Sequence, residues 1–265
     1  MSTEARNPRS MKLDEMSAIE IVGLMNEEES AVMDALRAAQ GGLALAATHA
    51  AEAFRSGGRV IYVGAGTSGR IATMDAAEMP PTFGIAADRF VAVFAGGDAA
   101  TKQATERAED DPDEAQRQLA KMGMHKSDVV IGIAASGRTP FVLGAVRFAR
   151  QNRVWTCGIA NNPGAPLLAE ADLGILLDTG PEVLTGSTRL KAGTAQKMAL
   201  NRISTAAMVL SGKVVSNLMV DVKASNEKLK QRCVSIVMAL TGVSESDARA
   251  ALEEHDWNVR KAIGQ

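Results

Sequence analysis

Two short segments of this 265-residue sequence place glycine and hydroxyl side chains directly after an apolar run: VGAGTSGR at 63–70 and AASGRTP at 134–140. Backbone N–H groups gathered by such a loop suit a phosphate dianion, with serine and threonine hydroxyls beside them, above all where a helix begins. The first segment also satisfies G-x-G-x-x-G through Gly64, Gly66 and Gly69, the form of a dinucleotide loop. A dinucleotide loop expects an acid about twenty residues on, at the end of the second strand, to hold a ribose. Here the next apolar run ends in VFAGGD, and its Asp98 comes 29 residues after Gly69. Thr67 and Ser68 between the glycines, with Ser136 and Thr139 in the second loop, favour a sugar phosphate over a pyrophosphate. Arg138 is a possible charge partner. A tight turn with a capping hydroxyl is the alternative for either loop taken alone.

A third segment, GPEVLTGSTRLKAGTAQK (180–197), brings Ser187, Thr188 and Lys191 to the opening of a long helical pattern. Hydroxyls, N–H groups and the helix dipole favour an anion there. Lys191 could meet a phosphate or a carboxylate, or serve as a solvated lysine beside a helix cap; Glu182 could touch the sugar. Two carboxylates in different environments can divide acid and base roles. Glu78, in DAAEMPPTFG, ends a helix that Pro80-Pro81 should stop. Its neighbours Met79 and Phe83 give it an apolar setting that would raise a carboxyl pKa. Glu109, in ERAEDD, is crowded by Glu106, Asp110 and Asp111, and on sequence alone a solvated helix face explains it better than a catalytic role.

The elements that must position these residues follow from periodicity. Five short apolar runs end in Gly or Asn: RVIYVGAG (59–66), RFVAVFAGG (89–97), SDVVIGIAASG (127–137), RVWTCGIANN (153–162) and DLGILLDTG (172–180). Amphipathic stretches such as 98–121 and 139–150 separate them. Alternating strands and helices imply βαβ units and a doubly wound α/β fold, its five-stranded parallel sheet flanked by helices. Ligands of such sheets bind outside the carboxyl ends of the strands, where all three segments fall. Residues 1–57 form an N-terminal helical segment, interrupted at QGG (40–42), of which residues 1–10 are polar and expected to pack poorly. Residues 58–224 form the sheet domain. Residues 225–265 form a small module of three short helices that resembles a ubiquitin-associated bundle.

Composition narrows the classes. Hydrophobic residues make up 46% but aromatics only 3%, so aliphatic side chains and the thirteen methionines must fill the core. With 29 basic and 31 acidic residues and no basic patch, nucleic acid is excluded as a partner. No stretch approaches the ~18 consecutive apolar residues of a membrane span. Only Cys157 and Cys233 are present, Cys157 inside an apolar run, and the N-terminus carries no apolar leader; a cytoplasmic, reducing setting is expected. His49, His125 and His255 fall in no candidate loop and show no metal spacing.

The blocks GAGTSGR…DAAEMPPTFG, AASGRTPFVLGA and GPEVLTGSTRLKAGTAQKMALNRIST resemble the N-acetylmuramic acid 6-phosphate etherases, members of the sugar isomerase (SIS) domain group. The likeness extends to NLMVDVKASNEKL (217–229) and RNPRSMKLDEMS (6–17), and so spans nearly the whole chain. It implies a SIS-type fold and a homodimer with sites near the subunit interface. It also implies cleavage of the lactyl ether of a 6-phosphosugar, without metal or other cofactor, giving N-acetylglucosamine 6-phosphate and D-lactate. By the family's pattern Glu78 protonates the departing lactate and Glu109 removes the C2 proton. Two departures stand out: Met79 replaces a frequent cysteine, and the sequence ends soon after the third tail helix. The competing functions are a SIS-type sugar-phosphate isomerase and a non-catalytic sugar-phosphate sensor.

Overall fold

The computed structural model describes residues 1–97 and 106–264. Part of the amphipathic stretch 98–121, with Asp98 itself, lies outside the described residues. Five strands, β1 (Val60–Gly64), β2 (Phe90–Phe94), β3 (Val129–Ile133), β4 (Trp155–Ala160) and β5 (Leu173–Leu176), form one parallel sheet in the order β2-β1-β3-β4-β5. Each falls inside one of the apolar runs. β1 and β3 lie side by side in register from Val60–Val129 to Gly64–Ile133, so the loops that leave them are neighbours.

Both faces of the sheet are covered, because alternate residues of each strand must leave water in opposite directions. On one face Val60 and Tyr62 of β1, Ile131 of β3 and Ile159 of β4 pack against α2 (Ser30–Ala38), α3 (Gln40–Arg55), α4 (Gly66–Phe83) and α8 (Lys191–Leu210). On the other, Ile61, Val63 and Val130 meet α5 (Pro112–Lys121), α6 (Pro140–Gln151) and α7 (Pro166–Glu170). α1 (Ala18–Glu28) precedes these layers and is closed at its start by a capping box between Ser17 and Glu20. Alanine supplies much of the α3 interface, with Ala46 and Ala50 fully buried. Small side chains let that helix approach its neighbours closely.

A third core, built on Val220, Val222, Val234, Val237 and Leu252, holds α9 (Glu227–Thr241), α10 (Glu245–Glu254) and α11 (Val259–Ala262). Gly242 ends α9 in the left-handed region, and Ser244 caps α10 by accepting from the Asp247 N–H. Asp221 ties this module down, pairing with Arg260 at 2.6 Å and Lys213 at 3.3 Å. Its carbonyl lies so close to Gly84 that a Cβ there would sit 2.1 Å away.

Two expectations are corrected. Residues 1–10, though mostly exposed, are anchored: they form short 3-10 turns, and Thr3 and Asn7 are buried. Pro80 and Pro81 do not stop α4, which runs on to Phe83 and ends at Gly84 in the left-handed region. The prolines lie in the last turn, where only the carbonyls of Ala76 and Ala77 lose a donor, and Ala77 is exposed to water. Cys157 is fully buried, and burial pushes its thiol far up. No helix among the described residues is long and apolar enough to cross a membrane.

At the amino ends of β1 and β3, Asp128 accepts from the Arg59 and His125 backbone N–H groups, both at 2.8 Å, and from the Arg59 guanidinium at 2.7 Å. Burial raises the Asp128 carboxyl, but the Arg59 and backbone bonds overcome this and hold it below its ordinary value. Asp128→Ala should therefore lower the unfolding free energy by about 3 kcal/mol, read as a lower urea midpoint. A carboxyl that binds its proton more weakly folded than unfolded stabilises fully above its unfolded pKa, about 4. In the wild type this contribution should fade as pH falls below that value, and Asp128→Ala should flatten the acid limb of the stability curve.

Candidate functional site

The first loop runs from β1 into α4. Gly69 presses the helix onto the sheet: a Cβ there would come within 2.5 Å of the Phe94 ring and 2.8 Å of the Gly64 carbonyl. Gly66 opens the helix at φ 53, a region most side chains avoid. The glycine spacing thus serves close helix–strand approach, the same demand that shapes dinucleotide loops. The N–H groups of the first helical turn have no carbonyl of their own helix to bond and face outward with the dipole's positive end. Ser68 is buried there and Thr67 half-buried.

The second loop leaves the neighbouring strand. Ser136 accepts from the Arg138 N–H at 3.2 Å, and Gly137, at φ 62, leaves room for Ala165 and Ala160. Thr139 begins α6 with Pro140 at the first helical position, and the Thr139 hydroxyl makes no capping bond to the helix. Ser136 and Thr139 are half-buried and Arg138 is exposed. Gly193 brings the third segment onto the first loop, since a Cβ there would lie 3.4 Å from the Thr67 methyl.

The start of α8 differs from expectation. Glu182, fully buried, accepts from the N–H of Lys191 at 3.0 Å and of Ala192 at 2.9 Å. The helix dipole already meets a carboxylate of its own chain. Burial pushes the Glu182 carboxyl up against these bonds. The Lys191 ammonium, also buried, donates to Glu28 at 2.6 Å instead of standing free for a phosphate or carboxylate. Glu28 further accepts from Asn7 at 2.7 Å and from Arg9 at 3.1 Å. Burial raises the Glu28 carboxyl, and the Lys191 and Asn7 bonds with the charges of Lys191 and Arg9 bring it below its ordinary value. Ser187 and Thr188 remain half-buried at this corner.

These bonds strap the N-terminal arm across the carboxyl ends of the strands. Asn162, at the end of β4, exchanges bonds with Thr3, accepting from its N–H at 3.2 Å and donating to its hydroxyl at 2.8 Å. Asn162 also donates to the Ala135 carbonyl of the second loop, at 2.8 Å. Sequence reasoning missed this contribution of Thr3, Asn7, Glu28 and Asn162. The one local signal was the buried-turn chemistry of Asn161-Asn162 directly after a strand.

The two candidate carboxylates are differently placed. A Cβ at Gly66 would lie 3.1 Å from Glu109 Oε1, so Glu109 stands at the mouth of the first loop, beside the N-terminus of α4. Glu78 lies twelve residues further along that helix and is exposed. Its expected apolar setting is not formed among the described residues: Met79 and Phe83 turn into the core, while Glu78 turns out. At ~1.5 Å of rise per residue, Glu78 is ~18 Å from the loop that Glu109 touches. One chain brings Thr67, Ser68, Ser136, Thr139 and Glu109 to one end of the sheet and leaves Glu78 apart. Among the described residues no three His, Cys, Asp or Glu side chains converge as metal ligands would.

Known proteins match this arrangement. Family models match for the SIS domain over residues 103–206, for the N-terminal SIS domain of glucokinase regulatory protein over 43–150, and for that protein's C-terminal lid domain over 216–261. The tail module is thus similar to a lid domain. Solved structures with the same fold include an E. coli CFT073 protein in complex with A5P, at TM-score 0.55 and 18% identity, covering 76% of this chain and 97% of that one. A phosphoheptose isomerase from Francisella tularensis matches at TM-score 0.55 and 20% identity, covering 75% and 100%. N-acetylmuramic acid 6-phosphate etherases of Salmonella agona and Yersinia pestis are 47% and 48% identical over 261 residues, 98% of this chain and 88% of theirs. At that identity over almost its whole length, the chain belongs to the N-acetylmuramic acid 6-phosphate etherase family.

Proposed function

We infer that the protein is a carbon–oxygen lyase that removes D-lactate from N-acetylmuramic acid 6-phosphate, leaving N-acetylglucosamine 6-phosphate. The observation that carries this reading is the Glu109 carboxylate beside the first hydroxyl loop. In this reading the 6-phosphate is held by the N–H groups opening α4, by Thr67 and Ser68, and by Ser136 and Thr139, with Arg138 at the rim. Ser187 and Thr188 border the sugar. Glu182 and Lys191, engaged with α8 and Glu28, hold the wall of the site in place rather than the ligand.

The chemistry follows from the substrate. The lactyl ether at C3 is β to the C1 aldehyde of the ring-opened sugar, so the C2 proton is acidic. Glu109 takes that proton, and the electron pair spreads onto the C1 oxygen. The enolate pair then forms a C2=C3 double bond as the C3–O bond breaks; lactate leaves with the C3–O bonding pair, and Glu78 supplies the proton to its oxygen. Water adds at C3 and a proton returns to C2, restoring the saturated sugar. An isomerase would use the same cradle and a base at C2, but needs no acid at C3.

C2 and the ether oxygen of one sugar are only about 2.4 Å apart, whereas Glu78 and Glu109 of one chain are separated by ~18 Å of helix. The reading is therefore a homodimer in which each site takes Glu109 and the hydroxyl loops from one subunit and Glu78 from the other. Exposed Met74 on α4 and Val209 and Leu210 on α8 support it, as does a groove of about 820 Å³ in which Met33 and Leu36 of α2 face Val209.

Incubation with N-acetylmuramic acid 6-phosphate should release D-lactate stoichiometrically; folded enzyme that releases none would exclude the etherase reading. In deuterium oxide, Glu109→Gln should abolish exchange at C2 as well as lactate release. Glu78→Gln should lower lactate release by about 10²–10⁴-fold while C2 exchange continues.

A further inference from the structure

Asp75 is a buried carboxylate, only 6% exposed, that the chemistry above does not use. One oxygen accepts from the hydroxyl of Tyr62 on β1 at 3.0 Å. The other accepts from the Asn201 amide at 3.1 Å and the Ser204 hydroxyl at 3.2 Å, both on α8. A single side chain of α4 thus fixes that helix to the sheet on one side and to the longest helix on the other.

Its place along α4 gives this weight. Asp75 and Glu78 are three residues apart, neighbours on the helix surface. On the far side of Glu78, Pro80 and Pro81 cannot donate to the carbonyls of Ala76 and Ala77, so this turn lacks two of the bonds that ordinarily hold a helix in register. The turn carrying Glu78 is weakened on one side by the prolines and anchored on the other by the three bonds to Asp75. The first loop lies some two turns upstream, where Gly69 and Phe94 set the packing independently.

We propose that Asp75 is the positioning residue for Glu78: its three hydrogen bonds fix the roll and height of the proline-weakened turn, so that the Glu78 carboxyl meets the departing lactate oxygen. The proposal rests on the etherase reading. It concerns the second half of the reaction only, since Glu109 and the phosphate loops are held by other contacts.

The test separates the two halves. In deuterium oxide, NMR follows deuterium entering C2 of the remaining N-acetylmuramic acid 6-phosphate and, in the same tube, the release of lactate. Asp75→Asn keeps the side-chain shape but replaces one acceptor oxygen with a donor. It should lower lactate release about tenfold or more, with KM and C2 exchange within about twofold of wild type. Asn201→Ala removes one donor and leaves the carboxylate, and should shift the ratio of exchange to release in the same direction by less. This second variant stands in where Asp75→Asn folds poorly. Exchange and release falling in equal proportion, or neither changing, would overturn the proposal. Wild-type enzyme that neither exchanges nor releases would instead overturn the etherase reading, and the proposal with it.

Discussion

An α-helix rises about 1.5 Å per residue, and the consequences of that constraint run through the whole molecule. The helix that follows β1 starts at the hydroxyl loop and carries Glu78 twelve residues later. In the proposed reading, the same helix therefore cannot offer both its N-terminus to the phosphate and its distal carboxylate to the lactyl ether of one sugar. Glu109 does not share the difficulty, because a separate 3-10 turn returns it to the mouth of the loop. In the proposed homodimer a site that needs both acids takes Glu78 from a second subunit, and the outward turn of Glu78 fits that arrangement.

The rest of the structure keeps the parts still. α8 is tied by Glu182 at its start and by Asp75 through Asn201 and Ser204 further along, both contacts made by buried carboxylates. Such groups are costly to leave unpaired, so each fixes its surroundings more tightly than an apolar contact of equal size. The pairing of Lys191 with Glu28 extends this order to the N-terminal arm, which Asn162 fastens at the other side of the site. The hydroxyl loops meanwhile keep the Thr139 hydroxyl and the first N–H groups of α4 out of helix bonding.

Much of this was legible in the sequence. The five strands follow from apolar runs closed by Gly or Asn, and a parallel sheet puts both hydroxyl loops at its carboxyl edge; that β1 and β3 are neighbours is set by the strand order, which no local pattern records. The arm was not legible, because Thr3 and Asn7 find their partners at Asn162, Pro181 and Glu28, and no local periodicity records a bond between such distant positions. Pro80-Pro81 suggested a stop because proline in mid-helix is disruptive; in the last turn two lost bonds weaken the helix without ending it, and it runs on to Phe83. Nothing in the local pattern around Asp75 marks it as buried. The available signal was Tyr62 in a strand otherwise wholly apolar, since a buried phenol needs a partner. Lys191 was read as a free cation because its partner comes from α1, far away in sequence.

The most direct test of the shared site is complementation between two inactive variants. Glu78→Gln and Glu109→Gln, each purified, are mixed in equal amounts, unfolded and refolded together, and assayed for lactate release. Random pairing puts both variants in half of the dimers, and each such dimer holds one site with both acids intact. Recovery of about a quarter of wild-type activity is expected from the mixture, with neither variant active alone. A mixture as inactive as its components, with mixed dimers demonstrably formed, would contradict a site built from two subunits.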